Sequence, residues 1–138
     1  MEFTRRDTIA LGLGAAALTV LPFRVAASAD DKIAEFTGGA DMKAEGITLT
    51  APEIAENGNT VPITVDAPGA ASIMVLATGN PTPGVAQFNF GPLAGSQSAT
   101  TRIRLAGTQD VVAIAKFEDG SFARAASTVK VTIGGCGG

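Results

Sequence analysis

The 138-residue chain contains no histidine, no tryptophan, no tyrosine and a single cysteine. Each absence removes chemistry. Zinc, copper, haem and iron–sulfur centres draw on imidazole or on several thiolates, so none of them is expected. Carboxylates alone could build a calcium site, but no Asp-x-Asp-x-Asp-Gly loop occurs. Without His, the Ser-His and Cys-His pairs of nucleophilic enzymes are unavailable. No metal and no resident cofactor are therefore expected. Positive charge is also scarce: 10 Lys and Arg stand against 13 Asp and Glu, with no basic stripe, so nucleic acid is not an expected partner. Long apolar runs are missing too. The one uncharged run near the N-terminus, Thr8 to Phe23, has sixteen residues, fewer than the roughly 20 that span a bilayer.

That run belongs to a leader. Arg5-Arg6 precedes it, and "RVAASA" follows, with Ala27-Ser28-Ala29 fitting the small-x-small pattern of a signal peptidase site. The alternative, an uncut membrane anchor, sits poorly with so short a run and a cleavage pattern after it. "TRRDTIAL" further resembles a twin-arginine export motif, with Thr8 at the place usually held by an apolar residue. Such motifs are addresses read by a receptor, and as a class they export chains already folded. With no cofactor to insert, folded export points to a chain that travels with a partner, or to one that simply folds fast. Three segments are expected: a twin-arginine signal peptide over 1–29, a folded domain over 30–133, and a terminal arm over 134–138. Leaving out Glu2, Asp7, Arg5, Arg6 and Arg24, the exported part keeps 11 acidic and 7 basic residues.

The exported part opens with "DKIAEFTGGADM", a short helix in which Ile33 and Phe36 share a face and Gly38-Gly39 ends the run. Beyond it the apolar period changes to two. Strands are expected over Ile47 to Ala51, along "TVPITV", "ASIMVLA" and "VAQFNF", along "SATTRIRL" and "QDVVAIAKF", and along "STVKVTI". Pro62 cannot donate to a ladder, which places its strand at an edge or a bulge. "ASIMVLA" and "QDVVAIAKF" are apolar on both parities, as strands covered on both faces are. Asn57-Gly58, the Asn80 to Gly84 stretch and Asp119-Gly120 read as turns. Seven strands with a helical lead-in make a mainly β chain, an immunoglobulin-like antiparallel β-sandwich. Met74, Phe88 and Phe90 are assigned to core or to a partner interface, "AENGNTVP" to a turn with an edge strand rather than a binding loop, and the outward Arg102 and Arg104 to a solvated face rather than to contact with an anionic substrate or partner.

The single cysteine ends up in "VTIGGCGG", flanked by Gly134, Gly135, Gly137 and Gly138. Glycine has nothing to bury and loses the most entropy on ordering, so such a segment stays mobile in water. Five extended residues reach roughly 17 Å, which holds the Cys136 thiol clear of the domain with nothing bulky beside it. An ordinary thiol, titrating near about 8.5, is only a few per cent thiolate at neutral pH. No Lys or Arg follows Lys130 to favour the anion. Activation would have to come from another protein. An odd cysteine in an exported chain also suits an intermolecular disulfide.

Here the residues resemble a known family. "VKVTIGGCGG", "PEIAENGNTVPITV", "NPTPGVAQFNFGP" and "TRIRLAGTQDVVAIAKFEDGSF" are similar to SoxY, the sulfur-carrier subunits of the bacterial Sox thiosulfate-oxidising system. The resemblance implies a carrier rather than an enzyme, located in the periplasm. It implies covalent substrate attachment at Cys136 on a carrier arm made of Gly134, Gly135, Gly137 and Gly138. It implies a heterodimer with SoxZ, which has no export signal of its own, and transient docking to three enzymes. A c-type cytochrome complex couples thiosulfate to the cysteine as an S-thiosulfonate, and a di-manganese hydrolase releases sulfate to leave a persulfide. A molybdenum sulfur dehydrogenase, where present, oxidises the remaining sulfur to an S-sulfonate. A homodimer linked by a disulfide through Cys136 is a further expectation.

Three other readings remain on the residues alone. A ubiquitin-like carrier activated at a terminal Gly-Gly carboxylate would act in the cytosol and need no cysteine. An exported structural sandwich would use Cys136 only to dimerise. A thiol enzyme acting alone would need a base that the chain does not provide near the cysteine.

Overall fold

The computed structural model describes residues 28–133. The leader, up to residue 27, and the arm, 134–138, lie outside the described residues.

Helix α1 (Ala29–Thr37) begins where its caps dictate. The Ser28 hydroxyl accepts from the Asp31 N–H, and an Asp31 carboxylate oxygen accepts from the Ser28 N–H, a reciprocal capping box. Asp30 and Asp31 in the first turn suit the positive end of the helix dipole. Gly38, at φ 64°, takes the left-handed conformation that closes the helix, and its N–H bonds to Ala34 O.

Nine strands follow: β1 (Met42–Lys43), β2 (Thr48–Thr50), β3 (Ile54–Ala55), β4 (Val61–Asp66), β5 (Ala70–Ala77), β6 (Gly84–Asn89), β7 (Ser98–Ile103), β8 (Gln109–Phe117) and β9 (Phe122–Val131). The larger sheet runs β1-β9-β8-β5-β6, and the smaller runs β2-β4-β7. They form an immunoglobulin-like sandwich, with the main core between the sheets built from Ile63, Val65, Ile73, Val75, Ile103, Leu105, Val111 and Val129 among others.

The two strands that are apolar on both parities are indeed covered twice. Ile73, Val75, Val111 and Ala113 face the smaller sheet. Met74, Leu76, Val112 and Ile114 face outward into a second cluster roofed by Ile33 and Phe36 of α1. Phe36 meets Phe122 edge to face, with centroids 6.0 Å apart.

Three details differ from the pattern-based reading. β4 is the middle strand of its sheet, despite Pro62. Its partner β2 pairs only with Thr64 to Asp66, so Pro62 lies past the end of β2 with β7 as its one paired neighbour. The second difference is that β1 and β3, two residues each, pair in parallel with the beginning and the end of β9. The sandwich is therefore not purely antiparallel, and runs this short carry no period for a sequence to display. The third is that β9 starts at Phe122 and stops at Val131, leaving Ile133 66% exposed instead of continuing the inward alternation.

Candidate functional site

Cys136 and the four glycines beside it lie outside the described residues. What the structure describes is the root from which they extend. β9 ends between two clamps. On one side Lys130 N–H donates to Glu53 O (2.9 Å) and Thr132 N–H to Ala55 O (3.0 Å), which stitches the strand to β3. On the other, Val131 N–H donates to the Thr108 hydroxyl (3.0 Å). Gly58 N–H then donates to Ile133 O at 2.8 Å. The last described residue, three positions before the cysteine, thus has its carbonyl held.

The held carbonyl connects inward. Gly58 O accepts from Leu105 N–H at 2.7 Å, and Leu105 is fully buried in the main core. The loop around Leu105 is fastened by Asn80, itself only 6% exposed. Asn80 donates to Arg104 O (2.7 Å) and accepts from Ala106 N–H (2.9 Å) and from the Gln109 side chain (2.8 Å). Gln109 also reaches Gly107 O (3.0 Å) and accepts from Gly79 N–H (2.9 Å). A buried amide pair therefore ties the β5–β6 and β7–β8 loops together, and the Leu105 bond to Gly58 O links them to the turn that holds Ile133. No buried side-chain polar atom is left unsatisfied among the described residues, as such a network requires.

The Asn57-Gly58 turn is a turn, as its residues indicate, with Asn59 N–H donating to the Asn57 side chain at 3.0 Å. Its part in holding Ile133 was not legible, because the bond joins segments 75 residues apart. Asn80 was likewise read as one residue of a stiff turn. A buried Asn and an exposed turn Asn look the same in a sequence; no local signal separates them.

Arg102 and Arg104 are exposed on the same face of β7 and the loop after it. Arg102 donates to the Thr60 hydroxyl at 3.2 Å. With Asn80, Thr82 and Val85 they border an open groove of about 310 Å³. Met74 is buried beneath α1, and Phe88 and Phe90 pack half-buried against the main core.

Ionisation offers little beyond the cysteine. Asp119 is held below the ordinary carboxylate range, chiefly because the Ser121 hydroxyl and N–H both donate to it. It sits in the β8–β9 hairpin, at the opposite end of a ten-residue strand from the arm, roughly 30 Å away. Among the described residues no group of three or more His, Cys, Asp or Glu could hold a metal ion. No helix there is long and apolar enough to cross a membrane.

The family described as "Sulfur oxidation protein SoxY" matches residues 33–136, from α1 through every strand to Cys136 itself. The structure is similar to the sulfur carrier protein SoxY from Chlorobium limicola f thiosulfatophilum, with 38% identity and a TM-score of 0.65, over 75% of this chain and 96% of that one. It also resembles the superoxide reductase (neelaredoxin) from Ignicoccus hospitalis, at 16% identity and a TM-score of 0.56, over 75% of this chain and 93% of that one. A putative superoxide reductase from Thermotoga maritima follows at 18% identity and 0.54, over 67% and 91%. At those identities the likeness to the reductases concerns the sandwich alone. No curated protein matches the chain.

Proposed function

The chain belongs to the SoxY family of sulfur oxidation proteins, and from that premise we propose that it is a covalent sulfur carrier whose one working atom is the Cys136 sulfur. The observation that carries this reading is the placement of the only cysteine. It stands among four glycines, three residues beyond an Ile133 carbonyl fixed by Gly58. A fixed root with a featureless arm can present one thiol to several active sites while the sandwich docks outside each of them.

The chemistry balances on that sulfur. A c-type cytochrome complex removes an electron pair as the Cys136 thiolate joins the sulfane sulfur of thiosulfate, giving the S-thiosulfonate. Water, delivered by a di-manganese hydrolase, cleaves the bond to the sulfonate group and releases sulfate, leaving the persulfide. A sulfur dehydrogenase takes electrons from the persulfide as water supplies oxygen, giving the S-sulfonate. A second hydrolysis frees sulfate and restores the thiolate. Each step's base, metal or electron acceptor belongs to the partner. The carrier contributes reach, a sterically bare nucleophile and a domain for recognition.

Periplasmic location follows from the twin-arginine leader, and partnership with SoxZ accounts for folded export of a chain that has no cofactor to insert. A disulfide through Cys136 would hold two chains in an unloaded state that reductant reverses.

The test is the intact mass of the protein from thiosulfate-grown cells, taken without reductant, beside Cys136→Ser. Sulfur and thiosulfonate adducts that reductant removes and the serine variant lacks are expected. A single unmodified mass, or only the disulfide dimer, would refute the carrier reading.

A further inference from the structure

The start of α1 bears on how the chain is processed. The pattern Ala27-Ser28-Ala29 suggests a cut after Ala29, but Ala29 is the first residue of the helix and Ser28 is its N-cap. Removing residues up to Ala29 would delete three hydrogen bonds together. These are Asp31 N–H to the Ser28 hydroxyl (3.2 Å), Ser28 N–H to the Asp31 carboxylate (3.1 Å) and Lys32 N–H to Ser28 O (3.1 Å). The helix they open roofs the second apolar cluster through Ile33 and Phe36.

If the residues before the domain are the export leader proposed above, we infer that the bond cut is Ala27–Ser28. Two independent features meet there. Val25-Ala26-Ala27 also places a small aliphatic residue and an alanine at the two positions a signal peptidase reads. The backbone at Ser28 is extended, at φ −69° and ψ 166°. A peptidase binds the chain around the scissile bond as an extended strand. The Ala29–Asp30 bond lies in the first helical turn and becomes available only when that turn opens. Because twin-arginine substrates cross the membrane folded, the turn is already formed when the peptidase meets it.

The new terminus also fits its surroundings. Cutting before Ser28 turns an N–H that already donates to Asp31 into a protonated amine facing the same carboxylate. Its charge would be unwelcome at a helix N-terminus, but Asp30 and Asp31 in the first turn offset it. The serine hydroxyl remains as the cap.

The experiment is N-terminal sequencing and intact mass of the untagged protein recovered from the periplasm of a host with twin-arginine export. A chain beginning at Ser28 is expected. Ala29→Leu, which spoils the later site and keeps a good helix former, should still be cut at Ser28. Val25→Asp, which alters the recognised position of the earlier site alone, should lose processing. A periplasmic chain beginning at Asp30, or loss of cutting in Ala29→Leu with normal cutting in Val25→Asp, would overturn the inference and leave the carrier reading intact. An uncut chain confined to the cytoplasm would overturn the export reading and the cut together.

Discussion

Replacing Asn80 by alanine tests whether the buried amide pair holds the loops under the arm. The change removes the donor to Arg104 O and the acceptor of Ala106 N–H. Gln109 loses one partner but keeps Gly107 O. Two backbone groups are thus orphaned beside a residue that is 6% exposed. Each costs about 1–3 kcal/mol if it stays dry. The loop edge admits some water, because Ala106 is only half-buried, so about 2–4 kcal/mol in total is expected. For a domain near 100 residues this is a fall of roughly 10–25 °C in the unfolding midpoint. Urea unfolding followed by far-UV circular dichroism, with Thr82→Ala in the same turn as an exposed control, would measure it. Below its midpoint the Asn80→Ala protein should react with a small aromatic disulfide at the wild-type rate, since the thiol lies beyond the held root. A loss under about 0.5 kcal/mol, the range of ordinary surface substitutions, would refute the assigned role. So would equal losses in Asn80→Ala and Thr82→Ala.

Phe36→Ala should cost about 2 kcal/mol, below the 3–5 of a fully buried phenylalanine, because the ring is only half-buried over Phe122; thermal unfolding measures this, and adduct formation at Cys136 should be unchanged. Asp119 is ionised more readily in the folded chain than in the unfolded one. Its contribution is therefore complete above the ordinary carboxylate range and disappears as pH falls through the lowered folded value. Asp119→Asn should flatten that part of the stability–pH curve on the acid side and leave the neutral-pH slope alone. An unchanged acid limb would show that the Ser121 contacts do not persist in solution.

Much of the sandwich could be read from alternation. A strand buried on one face repeats every two residues, so Val61-Ile63-Val65 and Ile103-Leu105 announced their inward faces. Runs apolar on both parities announced β5 and β8 as doubly covered, and Ile33 and Phe36 showed one face of the helix that does the covering. β1 and β3 were not legible, because two-residue pairings obtain their hydrogen bonds from a distant partner rather than from any pattern of their own. Pro62 misled because its missing donor was taken to exclude the whole strand from a sheet interior. The constraint is local, and β2 simply ends before reaching it.

The candidate site divides in the same way. Its proposed chemistry was legible in composition: one cysteine among four glycines, in a chain without histidine, is the pattern behind the reading of a thiol that partners activate. Where that thiol is rooted was decided only by tertiary structure. The Gly58 bond to Ile133, the Leu105 bond to Gly58 and the Asn80 cluster behind them join residues far apart in the chain. The start of α1 depends on both: Ser28 and Asp31 are recognisable capping residues, but only the folded helix shows that Ser28 is in use. Residue types determine which reactions are available. Hydrogen bonds across long sequence separations determine how the end of β9 is held, because their partners meet only after the core has formed.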